Sequence, residues 1–143
     1  MAIGPLGFLF LDFGAVEQDY PGQFVSGLGA VNRSVESFFE QELPEDFKYL
    51  AVIESGLQNA TSPAGAKGFW QIMKATGKEN GLEINSNVDE RYNLEKSTEV
   101  ACQYLLKAKE RFGTWTLAAA SYNAGMAGIS NRLESQGVND YYD

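Results

Sequence analysis

Glycine residues divide the chain from residue 34 onward into short segments, and most of these segments have the periodicity of a helix. Before Gly113, apolar or small side chains fall on one helical face, at Ala101, Tyr104, Leu105, Ala108 and Phe112. Further segments end at Gly56, Gly125 and Gly137. No stretch alternates with the two-residue period of a strand over more than a few positions. The sequence therefore predicts a mostly α fold with about seven short helices and no repeats.

One of these segments, residues 45–55, contains the acidic residue of greatest interest. The segment begins after Pro44, a residue that suits the first turn of a helix, and ends at Gly56. Residues 59–68 hold too many Pro, Gly and Ser for a regular element. They predict an ordered turn that leads into a further helix over residues 70–78.

Length and composition predict a single domain. The chain has 143 residues, of which 44% are hydrophobic and 13% aromatic, so it can bury one core. Residues 1–33 are Gly-rich and show no sustained period. They predict an irregular N-terminal lead-in, and residues 34–143 the folded domain.

The content of charged residues, histidine and cysteine excludes several classes of function. A net charge of -8 with only 11 scattered basic residues argues against a nucleic-acid partner. The absence of histidine excludes Ser-His and Cys-His hydrolases and the common zinc sites, which leaves carboxylates for acid-base chemistry. The single cysteine, Cys102, lies in a helical pattern and is expected in the core. We expect neither a metal nor another cofactor.

The sequence contains no candidate membrane span, because no run approaches the ~18 consecutive apolar residues that a span requires. The short apolar run of residues 3–11 is not preceded by basic residues, so no signal peptide is visible. A domain released from a longer, membrane-anchored precursor would have the same appearance.

Glu54 is the candidate catalytic residue. It follows Phe47, Leu50 and Ala51 at helical spacing, and the rest of this helix is also apolar, which predicts burial. Desolvation and the negative end of the helix dipole would both raise the pKa of such a carboxyl group. A carboxylic acid that stays protonated near neutral pH is what a glycosidase uses to protonate a leaving oxygen.

Helix position alone leaves other roles for Glu54 open. It could lie at a fraying end, reach solvent, or pair with Lys67 or Lys74. The polar residues elsewhere favour the site interpretation, because they are neutral hydrogen-bonding groups that suit a carbohydrate. They are Ser55, Ser62, Gln71, Tyr122 and Asn123.

Three blocks, residues 54–55, 62–71 and 121–125, carry a specific resemblance to a known family. In order and spacing they resemble the signature blocks of the lytic transglycosylase domain, which is also called the SLT or goose-lysozyme-like domain. Trp70 and Gln71 in the second block, with residues 88–91 and 97–98, are most similar to the membrane-bound lytic transglycosylase D branch. The resemblance covers about residues 43–135.

The resemblance implies a lysozyme-like α fold with a groove for alternating N-acetylglucosamine and N-acetylmuramic acid. The implied reaction cleaves the β-1,4 bond after N-acetylmuramic acid, and the C6 hydroxyl of that sugar closes a 1,6-anhydro ring without water. Glu54 would act first as acid and then as base. The acetamide of the substrate would replace a second carboxylate.

The resemblance also implies four substrate-binding residues. Ser62 and Gln71 would contact sugar near the cleaved bond, Tyr122 would face Glu54, and Asn123 would hold backbone or substrate. Structural alternatives remain for each: Ser62 could start the turn, Gln71 could cap its helix, Tyr122 could be a core residue, and Asn123 could be an ordinary residue before a helix end.

Asp89 and Glu90 are the other carboxylates in a family-like block. They could supply a second catalytic carboxylate. The adjacent Arg91 favours a salt-bridged brace at the start of the long helix.

The resemblance predicts a peptidoglycan lytic transglycosylase that acts outside the cytoplasm, in the periplasm or at the outer membrane, as a monomer on glycan strands. The alternatives are a hydrolytic muramidase, in which water replaces the C6 hydroxyl, and a non-catalytic module that binds peptidoglycan or chitin. A structural or assembly role is a further alternative.

Overall fold

A computed structural model describes residues 22–39 and 43–137. The helices in these ranges are α1 Gly22–Phe39, α2 Tyr49–Ser55, α3 Lys74–Glu79, α4 Leu94–Phe112, α5 Trp115–Ala124 and α6 Met126–Gln136, with short 3-10 helices at Glu45–Lys48 and Glu90–Tyr92. The described residues form isolated β-bridges but no strand. None of these helices is both long and apolar enough to cross a bilayer. The predicted mostly α fold is confirmed.

The helix ends follow from local sequence. Gly56 ends α2 and Gly113 ends α4 in the left-handed conformation, at φ values of 63° and 81° that glycine adopts without steric cost. The Thr114 side chain accepts a hydrogen bond from the backbone amide of Leu117 and so caps α5. These signals set α2, α4 and α5 at fixed positions along the chain.

The core lies where α4 packs against α1 and α5, and α5 packs in turn against α6. Cys102 and Leu105 of α4 and Leu117 of α5 are fully buried there. Burial raises the pKa of the Cys102 thiol to about 12, so the thiol stays protonated. The predicted core role of Cys102 is confirmed.

The prediction of an irregular segment over residues 1–33 is wrong for residues 22–33, which lie in α1. Val31 and Val35 of this helix are buried against the core. This packing stabilises the helix despite its glycines, and at Gly27 a Cβ atom would come within 3.1 Å of Leu57 Cβ. The small size of Gly27 therefore permits close packing. Residues 1–21 lie outside the described part of the chain.

The helix predicted over residues 70–78 begins later, at Lys74. Residues 70–73 belong instead to a tight loop, in which Lys67 and Ile72 exchange two backbone hydrogen bonds of 3.1 Å. Gln71 has a φ of 50°, outside the helical region. The backbone of Ile72 therefore bonds to Lys67 instead of forming the hydrogen bonds of a helix. We call residues 60–72 the site loop.

Candidate active site

Glu54 lies in the last turn of α2 and is 1% exposed. Neither carboxyl oxygen has a hydrogen-bond partner among the described residues, and no other buried side-chain oxygen or nitrogen in that part of the chain is unpartnered. The alternatives of a solvent-exposed Glu54, or one paired with Lys67 or Lys74, are therefore contradicted. Buried polar groups in proteins are almost always hydrogen-bonded, so an unpartnered carboxyl group indicates a functional position.

Burial raises the pKa of Glu54 from 4.5 to about 8. The cause is desolvation, which disfavours the charged form. Within residues 22–39 and 43–137, no basic side chain pairs with the carboxylate to oppose this effect. At neutral pH Glu54 is thus mainly a neutral acid with a proton to donate.

The site loop packs against the end of α2 that carries Glu54. Ser55, the next residue, donates a hydrogen bond of 2.8 Å from its hydroxyl to the carbonyl of Phe69. Within the loop, the Gly68 amide donates to the Ala60 carbonyl at 3.1 Å. The loop is therefore closed on itself and fixed to α2 beside the buried acid.

Ser62 and Gln71 both lie in the site loop and make hydrogen bonds within it. The Ser62 hydroxyl accepts from the Ala66 amide at 3.0 Å. The Gln71 side chain is 2% exposed and donates to the carbonyls of Ala60 and Gly68 at 3.0 and 2.9 Å. Both side chains thus shape the loop, and their contact with sugar stays a prediction.

Tyr122 comes from α5 and is fully buried. Its hydroxyl donates a hydrogen bond of 2.7 Å to the Trp70 carbonyl. Burial, and secondarily the charge of Glu54, raise the pKa of Tyr122. Its ring meets the ring of Tyr104 edge to face, at 5.8 Å between centroids. Asn123, the next residue, is half-buried.

Trp70 makes a second contact, through its side chain, that the sequence did not predict. This side chain is fully buried, and its indole Nε1 donates a hydrogen bond of 2.8 Å to the Thr98 hydroxyl of α4. Trp70 thus connects the site loop to α4 through its side chain and to α5 through its carbonyl. The only hint in the sequence was that Trp70 and Thr98 both lie in blocks that resemble the family.

Asp89 and Glu90 differ from Glu54 in having ionic partners. Both oxygens of Asp89 accept hydrogen bonds from the Arg91 guanidinium, at 2.9 and 2.7 Å, and these bonds hold the pKa of Asp89 below its usual value. Glu90 accepts from the Glu83 amide at 2.7 Å and from the Lys96 ammonium group, and both bonds lower its pKa. The brace interpretation is confirmed.

The described residues include no group of three or more His, Cys, Asp or Glu that could hold a metal ion. A cleft of about 730 Å³ lies between α1 and the start of α4, lined in part by Arg33, Asn93 and Glu95. None of the predicted site residues lines this cleft. The buried acid and the site loop, rather than the cleft, therefore define the candidate site.

Comparison with known proteins agrees with these features. The family model described as Transglycosylase SLT domain matches residues 35–143. The chain is 32% identical over 98 residues to Membrane-bound lytic murein transglycosylase D of Escherichia coli strain K12, and equally to the protein of that name from Escherichia coli O6:H1. These matches cover 67% of this chain and 22% of each relative, so the chain spans about a fifth of the relatives' length. The chain belongs to the transglycosylase SLT domain family.

Proposed function

We propose that this chain is a peptidoglycan lytic transglycosylase that cleaves the β-1,4 bond between N-acetylmuramic acid and N-acetylglucosamine. The observation that carries the proposal is the unpartnered carboxyl group of Glu54, which is 1% exposed beside the site loop. Membership of the SLT domain family and the similarity to lytic murein transglycosylase D support the same substrate. Because peptidoglycan lies outside the cytoplasm, the proposed site of action is extracytoplasmic.

In the first step Glu54 donates its proton to the glycosidic oxygen as the bond between that oxygen and C1 of N-acetylmuramic acid breaks. A pKa of about 8 keeps the donor protonated at neutral pH. The carbonyl oxygen of the substrate's own acetamide stabilises C1, so a second protein carboxylate is not required. The ion pairs of Asp89 and Glu90 agree with this assignment.

In the second step Glu54, now a carboxylate, accepts the proton of the C6 hydroxyl as that oxygen bonds to C1. The products are a 1,6-anhydro-N-acetylmuramic acid end and a strand that begins with N-acetylglucosamine. Glu54 ends the cycle protonated, and no water is consumed. The absence of a hydrogen-bonding partner suits this double role, because no neighbour holds the group in one protonation state.

Four further residues are proposed around the reacting sugars. Ser62 and Gln71 would present their remaining hydrogen-bonding capacity to the sugars from the site loop. Tyr122 would limit solvent access to Glu54 from the α5 side, and its hydroxyl is held by Trp70. Asn123 would hold backbone or substrate beside it.

The mass of the products tests the proposal. Purified peptidoglycan is digested with the wild-type chain, with Glu54→Gln and with the control Glu90→Gln. We expect muropeptides one water lighter than lysozyme products from the wild type and the control, and none from Glu54→Gln.

The other outcomes identify the alternatives. Fully hydrated reducing ends would establish a hydrolytic muramidase and contradict the transglycosylase step. Equal glycan binding by the wild type and Glu54→Gln without any fragments would establish a binding module.

A further inference from the structure

Arg91 is a buried cation whose contacts extend well beyond its ion pair. It is 3% exposed and forms a two-point salt bridge with Asp89. Its remaining terminal nitrogen, Nη1, donates to the carbonyls of Gly65 and Ile72 at 3.0 and 3.2 Å. A buried guanidinium group that also bonds two carbonyl groups fixes the relative positions of the segments that carry them.

Gly65 lies near the middle of the site loop and Ile72 at its end, so Arg91 holds the loop at two points. The backbone of Arg91 meets the loop at a third point, because a Cβ atom on Gly68 would lie 2.1 Å from the Arg91 carbonyl oxygen. No side chain larger than hydrogen fits at Gly68 without displacing one segment from the other. The loop and the segment before α4 therefore pack backbone to backbone.

The loop passes this constraint to the surroundings of Glu54. The Phe69 carbonyl accepts from Ser55, which follows Glu54 in sequence, and the Trp70 carbonyl accepts from Tyr122. Both carbonyls lie between the two loop positions that Arg91 holds. A displacement of the loop would change both contacts and admit water to the buried acid.

We propose that Arg91 is a positioning residue, which holds the site loop against α2 and α5 so that the surroundings of Glu54 keep the geometry required for glycan cleavage. The inference rests on the proposed function for its kinetic consequence only. Lysine cannot replace arginine here, because one ammonium group cannot bond both oxygens of Asp89 and the two loop carbonyls in the same fixed geometry.

Hydrogen exchange tests the structural part without reference to activity. In Arg91→Lys and Arg91→Gln we expect the paired amides of Lys67 and Ile72 to exchange at least about tenfold faster, with the amides of α4 unchanged. The control Lys96→Gln removes a nearby exposed cation that pairs with Glu90 and should leave both sets unchanged. Unchanged exchange in the loop, or a uniform increase throughout the chain, would overturn the proposal.

Kinetics on purified glycan strands test the functional part at a temperature where all variants are folded. A shift of about 1 Å in a reacting geometry can cost ~100-fold in rate, so we expect Arg91→Lys to lower kcat at least tenfold with little change in KM. We also expect its activity to decline at a lower pH than that of the wild type, because water that reaches Glu54 lowers the pKa of the acid. In the part of the chain that the structure describes, no charged group bonds to Glu54, and Tyr122 of α5 is a titratable group whose pKa the charge of Glu54 raises.

Gly68→Ala disturbs the contact between the site loop and the Arg91 backbone by a change in the loop itself. Gly81→Ala is its matched control, because Gly81 has a similar φ of 85° but no atom within 4 Å of an added Cβ. We expect Gly68→Ala to reproduce the faster exchange and lower kcat of Arg91→Lys, and Gly81→Ala to show neither.

Faster loop exchange with unchanged kcat and unchanged pH profile would contradict a positioning role. A wild-type chain that releases no fragments would contradict the proposed function, and the exchange experiment would still decide whether Arg91 holds the loop.

Discussion

Two acidic regions precede and follow the site loop in sequence. Their surroundings shift the pKa of a carboxyl group in opposite directions. Glu54, at the end of α2, is buried without a hydrogen-bond partner among the residues that the structure describes, and desolvation raises its pKa to about 8. Asp89 and Glu90, before α4, have cationic partners and backbone donors, which lower their pKa values. The environment rather than the residue type therefore decides which carboxyl group can donate a proton at neutral pH.

The two kinds of carboxyl group also differ in their effect on the stability of the folded chain. A buried carboxyl group without a partner destabilises the folded chain once it ionises, whereas a paired one stabilises it. The fold keeps the first kind at the candidate active site and uses the second kind to fix the site loop through Arg91. Four measurements test this difference between the two kinds of carboxyl group.

Replacement of Glu54 should have the largest effect, and replacement of Glu90 serves as its control. Glu54→Gln removes the group that gives and takes the proton, and we expect kcat to fall by ~10²–10⁴-fold. Glu90→Gln removes the ionic partner of the exposed Lys96 ammonium group and should leave kcat within about twofold. The measurement is the rate at which soluble fragments are released from peptidoglycan. Comparable losses in both variants would contradict the assignment of Glu54.

Stability should respond to pH in the direction that the raised pKa of Glu54 dictates. Between pH 4.5 and about 8 the folded chain holds a proton on Glu54 that the unfolded chain has lost, so the free energy of unfolding falls as pH rises. Over the whole interval the loss from this group is on the order of 5 kcal/mol.

Urea unfolding of the wild type and Glu54→Gln at pH 5 and pH 8 measures this effect. We expect Glu54→Gln to be the more stable of the two at pH 8 and to lose much less stability between the two pH values. Parallel pH dependences in the two proteins would show that Glu54 does not carry the effect.

Asp89→Asn should destabilise the chain by a smaller amount, on the order of 2 kcal/mol, because it weakens the two-point bond to the buried Arg91. Because the pKa of Asp89 is lowered, its contribution to the free energy of unfolding depends on pH in the opposite direction to that of Glu54. The stability from the Asp89–Arg91 pair is present at neutral pH and is lost as pH falls through the folded-state pKa of Asp89. Urea unfolding at pH 7 and pH 3 checks both statements. A variant as stable as the wild type at pH 7 would contradict the role of the pair.

The sequence predicted local features well and distant contacts poorly. Glycine at residues 56 and 113 located two helix ends, and the helical spacing from Phe47 to Glu54 predicted the burial of the acid. By contrast, α1 was missed over residues 22–33, because its glycines predicted an irregular segment, whereas burial of Val31 against the core stabilises the helix.

Contacts between distant residues account for what could not be predicted in the site. Arg91 bonds to carbonyls 26 and 19 residues away, and Trp70 bonds to Thr98 across 28 residues. These contacts depend on how the helices pack, which no local pattern encodes. The lack of a hydrogen-bond partner for Glu54 among the described residues could not be predicted for the same reason, because it depends on every element that surrounds the carboxyl group.

Burial keeps Glu54 a neutral acid near physiological pH. Carboxyl carbon NMR of the chain labelled at glutamate measures this directly, with the Glu54 signal assigned by its absence from Glu54→Gln. A titration midpoint near 8 is the predicted result. A midpoint near 4.5, the ordinary value, would contradict the account.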